Sequence, residues 1–156
     1  MSTISQLDRR IVEAELLGRM YAETANLLGR DAALDLIRNV QEKAAFEAGQ
    51  AFAESAPHGP GLEHFLGVLD LWRDSGAVDI GPVQIGPGLA HFEITRCGYI
   101  QAYRDMGLPG ELIPLLSCAR DEPFAQGYSK QLRLERPQTL ESGYPACGFT
   151  FHWDNE

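Results

Sequence analysis

Apolar residues recur every three or four positions along the first half of the chain, which predicts amphipathic helices. A first helix over residues 5–28 has one apolar face, made of Leu7, Ile11, Ala14, Leu17, Tyr21, Ala25 and Leu28. Gly29 fits the C-cap of this helix, and Asp31 fits the N-cap of a second. The second helix has an apolar face made of Leu34, Ile37, Ala44, Ala48 and Phe52. A third helix is predicted over residues 62–75, after a loop at 55–61 that is rich in Pro and Gly.

Beyond Gly76 the hydrophobic period changes to two, which is typical of strands. A short strand is predicted over 77–85, interrupted at Gly81-Pro82, and a longer one begins at Leu89 after a turn. Further strands are predicted over 128–135 and from Cys147 onward, and helices over 97–106 and 111–118. Helices followed by strands with helices between them predict an α+β fold. We expect N-terminal helices packed on a small, mostly antiparallel sheet, in a single domain spanning residues 1–156.

The net charge of the chain argues against some classes of binding partner. With 156 residues, a formal net charge of −9 and no long Lys/Arg run, the chain is predicted to bind neither nucleic acid nor an anionic membrane surface. No apolar stretch approaches the length of a membrane span, and the N-terminus has no secretory-signal pattern, so a cytoplasmic location is expected. Three cysteines in such a chain are expected to be reduced thiols.

The cysteines are the first candidates for chemistry, and each has a structural alternative because free cysteine is commonly buried. Cys97, at a predicted helix start beside Arg96, has the local setting that most favours a thiolate. Cys118 is predicted at a helix C-terminus, where the dipole disfavours a thiolate. Cys147 alternates with Phe149 and Phe151, which favours a core position. The chain has no Cys-x-x-Cys or His-x-x-x-His pair, so we predict no metal and no cofactor.

Histidine offers one further candidate pair. His91 and Glu93 share a face of the predicted strand, which permits a His oriented by a carboxylate. A simply polar, solvated strand face is the favoured interpretation. His64, on the edge of an apolar helix face, is predicted to be structural.

The second half of the chain resembles the L-2-amino-thiazoline-4-carboxylic acid hydrolase family. The resemblance spans residues 92–151 and rests on elements whose order and spacing agree with the family: Phe92-x-Ile94-x-Arg96-Cys97, Tyr103, Gly107-Leu108-Pro109-x-Glu111-Leu112, Cys118-x-x-Asp121, Leu134-Glu135-Arg136, Thr139-Leu140, Gly143 and Cys147-x-Phe149. Two positions depart from the family pattern. Tyr144 and Gly148 stand where the family commonly has acidic residues.

The resemblance implies hydrolytic opening of a small cyclic isothiourea or amidine carboxylate, as when L-2-amino-thiazoline-4-carboxylate becomes N-carbamoyl-L-cysteine. It implies catalytic roles for Cys118, as nucleophile or cavity wall, and for Asp121, which would orient water or move a proton. Arg136 is implied as the anchor of the substrate carboxylate, with Cys97 and Cys147 lining the site. The same layout also resembles, more loosely, 4-vinyl-reductase-type domains. The competing hypotheses are therefore a non-catalytic domain that binds a small molecule or a metal, and an interaction protein forming a homodimer through its N-terminal helices.

Overall fold

A computed structural model describes residues 3–155 and contains two long helices, several short ones and one sheet. The long helices are α1 (Gln6–Leu28) and α2 (Arg30–Glu54). The short helices are α3 (Leu62–Phe65), α4 (Val68–Trp72), α5 (Gly98–Asp105), α6 (Ile113–Leu116) and α7 (Asp121–Tyr128), with 3-10 turns at Asp74–Gly76 and Cys118–Arg120. Gly29, at φ 95°, joins α1 to α2 in a conformation that favours glycine.

The sheet is antiparallel throughout and is built around the long central strand β3. Its strands are β1 (Val78–Ile80), β2 (Gln84–Gly86), β3 (Leu89–Cys97), β4 (Leu132–Glu135) and β5 (Cys147–Trp153). The order is β1-β3-β5-β4, and β2 also pairs with β3. One face carries buried residues of β3 and β5, of which Phe92 and Phe149 are directly paired and stack with ring centroids 5.1 Å apart. The predicted α+β fold is thus confirmed.

The second helix approaches α7 more closely than side chains would permit, because glycine stands at both contact points. A Cβ atom added to Gly49 of α2 would overlap the carbonyl oxygen of Phe124 and lie 2.8 Å from the amide nitrogen of Tyr128. A Cβ added to Gly127 of α7 would overlap the carbonyl oxygen of Phe46. The two backbones are therefore in direct van der Waals contact. This contact fixes where α7 begins relative to α2.

Several element boundaries differ from the prediction. Residues 121–128 form α7, so the strand predicted over 128–135 begins only at Leu132. Asp31 lies in the first turn of α2 and Gly29 is the N-cap. The predicted third helix divides into α3 and α4, because Leu66 and Gly67 close the first and open the second. The helix α6 ends at Leu116, and Cys118 begins a 3-10 turn. The prediction that Cys118 is the last residue of a helix is therefore wrong.

Two residues that the sequence places on apolar helix faces are exposed in the structure. Leu28 is 73% exposed, because α1 ends there and its last turn projects beyond the core. Ala44 is exposed, and the buried row of α2 instead follows a strict spacing of four: Ala33, Ile37, Gln41, Ala45 and Gly49. Its last member, Gly49, meets the backbone of α7.

The outer surface of the long helices carries apolar side chains. Val12, Leu16, Leu27 and Val40 are between 45% and 73% exposed. A homodimer through these helices stays a prediction. Among residues 3–155, no helix combines the length and the apolar character that crossing a membrane would need.

We expect Gly49→Ala and Gly127→Ala each to lower the free energy of unfolding by about 1–3 kcal/mol, because the new methyl group overpacks a backbone contact. Helix propensity alone would change stability in the opposite direction, by about 1 kcal/mol. Urea unfolding at equilibrium measures the sign of the change in the free energy of unfolding. Gly110→Ala is the control, since a Cβ at Gly110 meets no atom within 4 Å. A stability gain in both helix variants would contradict the close contact.

Candidate functional site

A cavity of about 470 Å³ opens between the two long helices, the end of the sheet and the short helices that follow it. Its apolar wall comes from both halves of the chain and includes Phe52, Trp72, Ile94, Phe124 and Phe149. A cavity of this size suits a small molecule, and its aromatic lining provides flat surfaces against which a ring can pack.

All five residues that the sequence singles out for the site lie in the wall of this cavity. Cys97 stands at the end of β3, Cys147 at the start of β5, and Cys118 in the 3-10 turn before α7. Asp121 is the first residue of α7, and Arg136 follows β4. Residues separated by up to fifty positions in the sequence therefore face one space. Their roles stay predictions.

Asp121 and Arg136 form an ion pair in the wall, with side chains only 22% and 16% exposed. Arg136 Nη1 donates to Asp121 Oδ2, and Nη2 donates to the backbone oxygen of Cys118 at 2.9 Å. The guanidinium also lies over Phe149, with its central carbon 5.3 Å from the ring centroid. The Nε atom is buried and has no hydrogen-bond partner among the described residues. Two of the five N–H groups of Arg136 are thus already used inside the protein.

Burial governs the protonation state of Asp121. It raises the pKa of this carboxyl to about 6, while the ion pair with Arg136 and the nearby charge of Arg120 act in the opposite direction. A carboxylate with this pKa is mostly ionised at neutral pH and can still accept and return a proton. This is the range in which a general base works well.

The three thiols are less acidic than an ordinary cysteine. Burial and, after it, the charge of Asp121 raise the pKa of Cys118 to about 12, against the effect of Arg136. Burial also raises the pKa of Cys97 and of Cys147, although backbone amides of Tyr99, Ile100 and Leu140 partly compensate. Each is therefore a neutral thiol at physiological pH. Arg96 does not activate Cys97, because it points away and pairs with the Asp79 carboxylate at 3.0 Å.

A second group of cations, which sequence reasoning did not assign to a site, lines the same cavity. Arg9 and Arg10 come from α1, and Arg120 comes from the 3-10 turn before α7. Arg120 Nη1 contacts the Gln41 side-chain oxygen at 3.2 Å and its backbone oxygen at 3.4 Å. Gln41 is 5% exposed and is held by the backbone oxygen of Leu116 at 3.3 Å.

A sequence signal for this group did exist. Arg10 falls on the apolar face of α1, between Leu7 and Ala14, and Gln41 falls on the buried row of α2. Polar residues on an otherwise apolar helical face need partners once buried, which marks them as candidates for a site.

The histidines lie outside the cavity wall among the described residues. His64 stacks on Phe52 and contacts the Tyr128 hydroxyl at 2.9 Å, in keeping with the predicted structural role. His91 contacts Thr150 Oγ1 at 2.9 Å, and no hydrogen bond joins it to Glu93 within residues 3–155. The described part of the chain also contains no group of three or more His, Cys, Asp or Glu side chains arranged to hold a metal ion.

Among solved structures, the chain is similar to the phenol-responsive sensory domain of the transcription activator PoxR in complex with phenol. The two are 16% identical with a TM-score of 0.54, and the match covers 89% of this chain and 73% of the other. At this identity the likeness concerns the fold. No curated protein sequence matches the chain.

The family comparison extends the resemblance that the second half of the sequence carries. The family model of L-2-amino-thiazoline-4-carboxylic acid hydrolase matches residues 9–151, which includes most of α1, all of α2 and every wall residue discussed above. The chain belongs to the L-2-amino-thiazoline-4-carboxylic acid hydrolase family.

Proposed function

We propose that this protein is a hydrolase that opens a small cyclic isothiourea or amidine carboxylate, such as L-2-amino-thiazoline-4-carboxylate. The observation that carries the proposal is a desolvated carboxylate, Asp121, held by Arg136 in the wall of a cavity of about 470 Å³. Membership of the hydrolase family supports the reaction type. The volume of the cavity is consistent with a small substrate.

The reaction needs a water molecule and a group that moves its proton. Asp121 takes a proton from water while the water oxygen bonds to the ring carbon between nitrogen and sulfur. The electron pair of the carbon–nitrogen double bond moves to the nitrogen, which gives a tetrahedral centre. The carbon–sulfur bond then breaks as the carbon–oxygen double bond forms, and the remaining hydroxyl proton passes to that nitrogen. Asp121 then returns the proton to the departing sulfur, and a urea and a free thiol result. A carboxyl with a pKa of about 6 can serve in both directions, because a thiolate is the stronger base.

Arg136 contributes to this step through Asp121. Its ion pair fixes the carboxylate at the start of α7, and its positive charge keeps the carboxylate ionised despite burial. The predicted direct contact between Arg136 and a substrate carboxylate remains a hypothesis. Two of its nitrogen groups already bind Asp121 and Cys118.

Cys118 has two candidate roles, of which the passive one is better supported. A thiol whose pKa is about 12 has a negligible thiolate fraction at neutral pH, so attack by its sulfur would first require Asp121 to remove the proton. As a cavity wall, the neutral thiol contributes shape and an apolar surface. Cys97 and Cys147 are assigned the same lining role.

The two departures from the family pattern lie away from the cavity. Tyr144 is 45% exposed, and Gly148 lies between Cys147 and Phe149 on β5, so a side chain at position 148 would point to the opposite face of the sheet. Neither residue lines the cavity. Loss of acids at these positions is therefore compatible with the proposed reaction.

The reaction is tested by mixing the purified protein with L-2-amino-thiazoline-4-carboxylate and following free thiol with a disulfide dye, after subtraction of protein thiols. We expect turnover in the wild type, a loss of about 100-fold or more in kcat for Asp121→Asn, and a loss below about 10-fold for Cys118→Ala.

The pattern of losses separates the mechanisms. Equal, near-complete loss in Cys118→Ala and Asp121→Asn, together with a covalent adduct on Cys118 in the mass spectrum, would replace water attack by sulfur attack. Glu122→Gln is the matched control, because Glu122 is exposed, neighbours Asp121 on α7 and lies outside the cavity wall. Full activity in Asp121→Asn would contradict the role of this carboxylate.

The pH profile gives an independent test of Asp121. Because the base must be ionised, kcat/KM should be constant above about pH 7 and fall about tenfold per unit below the pKa of about 6. Arg136→Gln removes the charge that lowers this pKa, so the inflection should move to higher pH. An inflection that stays in place in Arg136→Gln would assign it to another group.

The alternative is a domain that binds a small molecule without transforming it. The mainly apolar wall favours it, as does the likeness to a sensory domain whose solved structure contains phenol. Trp72 lines the cavity, so bound ligand should change its fluorescence. Saturable fluorescence change with L-2-amino-thiazoline-4-carboxylate and no thiol release would favour this alternative over hydrolysis.

A further inference from the structure

Arg120 differs from Arg136 in having no counter-charge. No Asp or Glu oxygen lies within 4.0 Å of the Arg120 guanidinium in residues 3–155, and its contacts there are the two neutral oxygens of Gln41. Both contacts use Nη1, so Nε and Nη2 have no protein acceptor in that range. Arg120 is partly buried, and even partial desolvation of a charge is costly without an anionic partner.

The surroundings of Arg120 add positive charge. The wall of the cavity contains Arg9, Arg10, Arg120 and Arg136 against Asp121 and Glu141, and Arg10 is paired with Glu13 at 2.6 Å. Arg136 and Asp121 neutralise each other. Burial and, after it, the positive charge of Arg10 lower the pKa of Arg120 to about 10, although Glu13 and Asp121 act in the opposite direction. A local excess of positive charge in a chain with a formal net charge of −9 indicates a site for an anion.

The side chain of Arg120 is also oriented in advance. Gln41, on the buried row of α2, is fixed by the backbone oxygen of Leu116 and presents its own oxygen to Nη1. One edge of the guanidinium is thereby tied to α2. The other edge remains available for a fork-shaped contact, in which two parallel N–H groups donate to the two oxygens of a carboxylate.

We propose that Arg120 is the anion anchor of the cavity and binds the carboxylate of a small heterocyclic acid. Arg136 then has a separate task, which is to hold Asp121. This deepens the proposed function, on which the choice of a heterocyclic acid rests. The carboxylate anchor and the proton-transferring group come from adjacent residues, Arg120 and Asp121, at the start of α7. A substrate held by Arg120 would therefore have its ring near Asp121.

The test compares two probes that differ only in charge, 2-aminothiazole-4-carboxylate and 2-aminothiazole-4-carboxamide. Their aromatic rings resist water addition, so calorimetric binding constants can be measured whether or not the protein hydrolyses a thiazoline. We expect the wild type to bind the carboxylate roughly 10–100-fold more tightly, as charge-assisted hydrogen bonds predict. In Arg120→Gln the two constants should become nearly equal, through weaker binding of the carboxylate alone.

Three further variants identify the anchor. Arg120→Lys should keep part of the preference, because the point charge remains without the fork. Arg136→Gln should keep the preference for the carboxylate. Arg104→Gln, which removes an exposed positive charge outside the cavity wall, should leave both constants unchanged. Unfolding in the absence of probe gives a second readout. Arg120→Gln should be as stable as the wild type or more so, whereas Arg136→Gln should be less stable because Asp121 loses its partner.

The proposal is overturned if the wild type does not discriminate between the probes, if Arg120→Gln still does, or if only Arg136→Gln loses the discrimination. These outcomes are independent of thiol release. A preference for the carboxylate that depends on Arg120, in a protein that releases no thiol, would support the anchor and contradict hydrolysis. Thiol release without that preference would support hydrolysis and contradict the anchor.

Discussion

The direct backbone contact between α2 and α7 is the constraint on which the site depends. Glycine at positions 49 and 127 lets the two helices meet without intervening side chains. The last turn of α7 is thereby fixed against α2, and the first residue of α7, Asp121, is fixed by extension. A larger helix separation would displace Asp121 from the wall and would also move Arg120 away from Gln41. The geometry of the polar groups is thus set by the absence of two methyl groups.

Charge in the cavity is arranged as one satisfied pair beside one unsatisfied cation. The ion pair of Asp121 and Arg136 is confined to the wall, where burial raises the carboxyl pKa and the guanidinium limits that rise. Arg120 is partly buried and has no Asp or Glu oxygen within 4.0 Å among residues 3–155, so its desolvation is compensated only by more distant charges. Functional sites commonly keep such uncompensated groups, because a ligand supplies the missing interaction.

The hydrophobic periodicity of the sequence predicts the long helices and the strand pattern. The resemblance to the family singles out the five wall residues. The sequence does not predict α7. The segment 121–128 is short and contains Gly127, which locally disfavours a helix. The helix exists because Gly127 permits contact with α2 and because Phe124 and Ala125 pack into the core, which is tertiary information. Arg10 and Gln41 were likewise missed, since their partners come from distant segments.

The reduced acidity of the thiols changes how the three cysteines should be interpreted. From the sequence, three cysteines within about fifty residues could be interpreted as a nucleophilic or metal-binding cluster. In the structure, burial raises the pKa of each, and the described residues provide no metal-ligand group. Small, polarizable side chains at the ends of β3 and β5 instead leave room where an aromatic residue would fill the cavity. We therefore propose that the chemistry belongs to Asp121 and that the cysteines determine the shape and apolar character of the space beside it.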